Sequence, residues 1–142
     1  MDDNKLKPFY TEVNRVKALK FGTEYESRMI LDHVVTGRDG VIQMNHGTVK
    51  AGCALGGGVH EEDEIYYILS GHGKLQLDDE IIEVVPNQVI FIPAGCFHAL
   101  DNRESEEDMC ILTFWKDYRF NEAYEERVKQ WGKSFVTIDE DV

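Results

Sequence analysis

The sequence predicts an all-β fold, a closed antiparallel barrel or jelly roll with an extended N-terminal arm and a short C-terminal helix. Three observations predict it. Short runs of β-branched and aromatic residues recur from Ser27 to Trp115, turns rich in glycine, proline, asparagine and aspartate separate them, and helical periodicity appears only after Trp115. A chain of 142 residues, 42% of them apolar, fits one domain spanning 1–142, with a barrel core at about 41–115.

Residues Met1 to Gly22 mix charge with Phe9, Tyr10, Val13, Val16, Leu19 and Phe21. That spacing suits a short helix or an irregular edge strand, and an extended arm is the preferred reading. Met29, Ile30, Leu31, Val34 and Val35 mark a strand within Ser27 to Val35, closed by the Thr36-Gly37-Arg38-Asp39-Gly40 connection. Val41 to Met44 and Thr48 to Ala51 read as two short strands around Asn45-His46-Gly47. Gly56-Gly57-Gly58 has no side chains to pack, which predicts an irregular strand or the close approach of another group. Ile65 to Leu69, Lys74 to Leu77, Ile81 to Val85 and Val89 to Ile92 follow as strands. They are separated by Ser70-Gly71-His72-Gly73, by the polar tip Asp78-Asp79-Glu80 and by Pro86-Asn87. Ala99-Leu100 and Met109 to Trp115 continue the series on either side of a charged loop. Phe120, Tyr124, Val128 and Trp131 then recur at helical spacing, with Gly132 placed to end the helix.

Charge and composition exclude several partners. Fifteen basic residues stand against 27 acidic ones, and a net charge of −12 repels nucleic acid and anionic membranes. No apolar run reaches the roughly 20 residues of a membrane span, and the charged Met1 to Lys7 lacks the apolar segment of a secretion signal. Cys53, Cys96 and Cys110 are odd in number and lack a Cys-x-x-Cys spacing, so a reducing, cytoplasmic setting is expected.

The stretch from Gly52 to Asn102 carries the chemistry. His60-x-x-x-Glu64 precedes one strand and His98 precedes another, so a barrel can bring two imidazoles and one carboxylate together. Such a donor set leaves coordination positions open and suits iron(II), while also accepting manganese, nickel, cobalt or zinc. Gly52, His60, Glu64 and Gly71 fall in register with the first motif of the cupin superfamily, with Gly58 at the position of its first histidine. Pro93, Gly95, His98 and Asn102 match the second motif, with Asn87 in place of its leading glycine. The chain therefore resembles a small cupin. The resemblance implies a β-barrel with a central pocket, one divalent metal held by His60, Glu64 and His98, and often a homodimer. It is similar to cupin-type iron epoxidases, in which the first motif histidine is likewise not a ligand. The alternative is that His60 and His98 are scaffold residues of a metal-free pocket, with Glu64 salt-bridged at its rim.

Strand alternation puts Tyr66 on the face of Glu64 and Cys96 on the face of His98. Tyr66 is therefore a candidate catalytic proton donor or substrate-orienting group, set against simple core packing. Cys96 fits a small buried apolar residue as well as a pocket residue. Glu62 is a substitute ligand or a solvated turn residue, His46 is within reach from a neighbouring strand, and His33 and His72 look peripheral. Arg28 can point inward to a substrate carboxylate or lie on the strand surface. The leading expectation is a metal-dependent enzyme for a small oxygen-rich, anionic molecule, by oxygenation, isomerisation or elimination. A non-enzymatic carbohydrate-binding protein and a structural dimerisation module are the alternatives.

Overall fold

The structure, a computed structural model, describes residues 8, 10–16, 18–32 and 40–116. The strands are β1 (Leu19–Phe21), β2 (Tyr25–Leu31), β3 (Ile42–Val49), β4 (Ala54–Gly58) and β5 (Glu64–Ser70). They continue with β6 (Gly73–Leu77), β7 (Glu80–Val84), β8 (Val89–Ile92), β9 (His98–Asp101) and β10 (Met109–Lys116). All pair antiparallel, in one sheet of order β1-β2-β3-β10-β5-β8 and a second of order β4-β9-β6-β7. This two-sheet β architecture is the one the alternation predicts.

The inner face of each strand changes character along its length, and this positions the site. On β5 the inward residues run from Ile68 through Tyr66 to Glu64, and on β10 from Met109 and Ile111 to Thr113 and Trp115. On β9 they run from Leu100 to His98, and on β3 from Val49 to Asn45. The apolar ends meet in a core of Val49, Ile68, Leu75, Val84, Ile92, Met109 and Ile111, all fully or almost fully buried. Burying these side chains removes apolar area from water and drives closure of the two sheets. The polar ends are left to line the other half of the interior.

The motif residues do backbone work that explains their identity. Gly52, Gly71 and Gly95 have φ of 76°, 93° and 83°, and Asn87 takes the same left-handed region at 68°. A Cβ at Gly71 would meet the Asp108 carbonyl at 2.5 Å. Asn102 is buried and donates through Nδ2 to the carbonyls of Val49, Lys50 and Glu107, tying β3 to the loop before β10.

Several expectations need correction. Asn45-His46-Gly47 does not separate two short strands: β3 runs unbroken from Ile42 to Val49 and pairs with β10 along its whole length. The segment before Gly22 is not simply an extended arm, because Val13–Arg15 form a 3-10 turn and Leu19–Phe21 an edge strand on β2. Arg28 helps hold this segment, its guanidinium donating to the carbonyls of Val13 and Val16. The strand expected within Ser27 to Val35 is β2, which begins at Tyr25 and whose described part ends at Leu31. Residues 36–39 of the glycine-bearing connection, His33 and the C-terminal helix expected around Phe120 to Trp131 lie outside the described residues.

Candidate metal centre

His60 lies in the loop after β4, Glu64 opens β5 and His98 opens β9. Two contacts fix the loops that carry them. The Gly95 amide donates to the His60 carbonyl at 2.9 Å, and the Ala94 amide donates to the Asp63 carboxylate at 2.8 Å. The two motifs are thereby joined at the point where their histidines converge.

The three side chains meet in one cluster. His60 Nε2 is 3.2 Å from His98 Nε2 and 3.3 Å from Glu64 Oε1, and His98 Nε2 is 3.4 Å from the same oxygen. The far nitrogens are engaged by backbone: His60 Nδ1 lies 2.8 Å from the Glu62 carbonyl and His98 Nδ1 3.0 Å from the Cys96 carbonyl. A carbonyl only accepts, so each Nδ1 carries the proton in the neutral ring and each Nε2 turns a lone pair inward. Two lone pairs and a carboxylate then face a common point. Donors about 2.1 Å from one metal, at tetrahedral to octahedral angles, stand about 3.0 to 3.4 Å apart. The observed separations fall in that interval, and the residues fit a metal ion.

The hydrogen bond to Glu64 raises the pKa of His60, its charge and that of Glu62 adding to the shift while burial opposes it. Burial works against the charge on Glu64, but hydrogen bonds and charge from His60 and His98 outweigh it, and the carboxyl is held below its ordinary range. The cluster favours positive charge at its centre.

Beyond the triad, a cavity of about 290 Å³ opens toward Phe21, Tyr25, Leu55 and Trp115. Tyr66 lines it and sets its ring edge-on to His98, with centroids 6.1 Å apart. Burial pushes the Tyr66 phenol well above its usual value, so it remains a proton donor. Glu62 also lines the cavity with its side chain only 16% exposed, so the solvated reading of that residue is wrong. Cys96 packs with the apolar core instead of the cavity, and burial pushes its thiol up. His46 sits beside Arg28 on the other face of β3 from Asn45, and burial lowers its pKa. His72 lies between β5 and β6, exposed and outside this cavity.

Sequence reasoning missed Phe21, Tyr25, Ser27, Asn45, Thr113 and Trp115. The parity of β10 pointed to Thr113 and Trp115, since both share a face with Ile111. For Ser27 and Asn45 no signal existed until β3 was known to be one strand.

Residues 40–115 match the family model described as Cupin domain. A 43-residue stretch is 42% identical to uncharacterized protein MJ1618 of Methanocaldococcus jannaschii, covering 30% of this chain and 34% of that protein's length. The solved polyketide cyclase RemF from Streptomyces resistomycificus is similar with a TM-score of 0.68 at 21% identity, over 90% of this chain and 96% of its own. KdgF from Halomonas sp. is similar with a TM-score of 0.67 at 14% identity, over 80% of this chain and 97% of its own. At such identities the structural likeness is one of fold.

Proposed function

The chain belongs to the cupin domain family, and on that premise we propose that it is a metal-dependent enzyme for a small, oxygen-rich, anionic substrate. Hydroxy acids, keto acids and sugar acids are the class, and metal-assisted oxygenation, isomerisation or elimination the type of reaction. The observation that carries this reading is the convergence of His60 Nε2, His98 Nε2 and Glu64 Oε1 at 3.2–3.4 Å, with both Nδ1 atoms held by carbonyls. These three residues would hold one divalent ion of iron, manganese, nickel, cobalt or zinc. When bound, such an ion supplies Lewis-acid polarisation of a substrate oxygen or, for a redox-active metal, access to one-electron chemistry.

The chain's own residues define the rest. Two neutral imidazoles and one carboxylate leave a divalent centre at about +1, which attracts a carboxylate. Glu62, near His60 Nδ1 at 3.7 Å, offsets part of that charge. Selection for an anion therefore rests on direct coordination more than on long-range field. Tyr66, with its ring edge-on to His98, would give a hydrogen bond or proton to a substrate oxygen, and its raised pKa would keep that proton available. Trp115 and Phe21 wall the cavity with aromatic rings. A structural neighbour named as a polyketide cyclase is in keeping with an oxygen-rich substrate.

The test compares metal-loaded and metal-free protein. Glycolate is expected to raise the melting temperature of the loaded form and to leave the metal-free form nearly unchanged, as linkage requires of a ligand that binds through the metal. Equal stabilisation of both forms would instead favour a metal-free binding protein.

We further propose a homodimer in a reducing, cytoplasmic setting, the latter resting on three free cysteines with no Cys-x-x-Cys spacing. Ile65 and Tyr67 on β5 pair with Phe91 and Val89 on the edge strand β8, all four on the outer face of the sheet, with Val89 65% and Phe91 60% exposed. Contiguous apolar surface on a sheet edge calls for cover. The apolar residues before Gly22 motivate dimerisation less than their sequence implied, since Val16 is buried and Phe21 lines the protein's own cavity. Light scattering at high micromolar concentration is expected to give twice the chain mass, and a monomer there removes the proposal.

A further inference from the structure

Across the inner face of the large sheet, Tyr66 on β5, Thr113 on β10 and Asn45 on β3 stand in direct register. They form one polar row that starts beneath His98 and ends two strands away. At its far end the Ser27 hydroxyl donates to Asn45 Oδ1 at 2.6 Å, and both residues are 96% buried. That bond fixes the amide: Oδ1 is occupied, and Nδ2 presents its N–H groups on the other side, where one reaches the Tyr25 hydroxyl at 3.4 Å. A contact of that length is weak. Tyr25 occupies its place because Gly47 leaves room, since a Cβ there would overlap the phenol. All three residues line the same cavity as His60, Glu64 and His98.

We infer that Asn45, oriented by Ser27, is a specificity-determining residue that donates a hydrogen bond to a second oxygen of the ligand, away from the metal end. This rests on the proposed metal-dependent reading and deepens it. The physical argument is one of matched polarity. The metal end takes oxygen lone pairs, and the Asn45 end offers an N–H donor, so both poles select acceptor oxygens. With β10 between β5 and β3, the poles stand about two strand spacings apart, on the order of 10 Å between backbones. A ligand that satisfies both has a hydroxy acid or keto acid head and a hydroxyl or carbonyl several carbons further on. A sugar acid has that shape, whereas a two-carbon acid reaches only the metal end. Ser27 acts through Asn45 as a positioning residue: without its hydroxyl the amide is free to turn its oxygen inward, where it meets another acceptor.

The experiment is calorimetric titration of Co²⁺-loaded protein with two probes, glycolate for the metal end alone and D-gluconate for both poles. Wild type is expected to bind gluconate more tightly than glycolate. Asn45→Leu is expected to weaken gluconate about tenfold, the scale of one hydrogen bond lost to a buried donor site, and to leave glycolate within about twofold. Ser27→Ala is expected to move gluconate in the same direction, and it decides the matter if Asn45→Leu does not fold. Equal weakening of both probes, or no change in either, overturns the role of Asn45 while leaving the metal reading standing. Glycolate bound as tightly as gluconate by wild type does the same. If loaded wild type binds neither probe, the metal-dependent reading falls and the inference with it.

Discussion

Gly58 and His98 face each other across the β4–β9 ladder, just after an irregularity in its register. Residues directly opposite present their side chains to one face of a sheet. The position where the cupin motif has its first histidine therefore points, in this chain, to the side on which His98 meets His60 and Glu64. A Cβ at Gly58 would have nothing within 4 Å. Gly58→His is expected to keep the metal and weaken glycolate binding, because the added imidazole occupies space beside His98. Titration of the loaded variant measures this; unchanged affinity would mean that the glycine merely accommodates the backbone.

Its neighbour behaves differently. A Cβ at Gly57 would overlap the Phe97 ring and come within 2.8 Å of the His98 carbonyl and of Ala99. Gly57→Ala is expected to cost about 1 to 3 kcal/mol through overpacking, and Gly58→Ala no more than about 0.5 kcal/mol. Urea unfolding of the two variants separates them, and similar losses at both positions would contradict the account of the glycine run.

Metal binding should depend on pH through His60. Its pKa in the folded protein is raised above 6.5, chiefly by its hydrogen bond to Glu64. In metal-free protein the protonated ring therefore contributes stability that is present below 6.5 and is lost as pH rises through the folded value. Metal affinity runs the opposite way, because the ion must displace that proton: it should fall about tenfold per unit as pH drops below the raised value. Glu64 stays ionised over this window, its pKa being held below 4.5. Chelator competition with Co²⁺ between about pH 8 and pH 5.5 tests the point. A flat profile would show that His60 need not lose a proton to bind.

What the sequence made legible was set by how local the cause is. Strand alternation and turn chemistry act over a few residues, so β5 to β10 fall close to where the pattern put them, and Asn87 takes the left-handed backbone its motif position requires. The triad was legible because two motif spacings fix it on a known topology. The fate of β3 was not: a polar residue and a glycine in mid-strand look like a break between two strands, and it is Ser27, 18 residues away, that satisfies Asn45 Oδ1 while Tyr25 fills the space over Gly47. Arg28 was open between pocket and surface for the same reason, since its partners are the carbonyls of Val13 and Val16. Glu62 was misread because its shielding comes from the fold of the loop around His60 and not from any pattern in Glu61-Glu62-Asp63.

The central claim is that His60, Glu64 and His98 hold one metal ion. Elemental analysis of Co²⁺-loaded and desalted protein tests it most directly, with Glu64→Ala and His98→Ala beside wild type. The account predicts about one cobalt per wild-type chain and, with a ligand removed, an affinity reduced by at least about a hundredfold, so that desalting strips both variants. Full occupancy in either variant, or no cobalt retained by wild type, would contradict it.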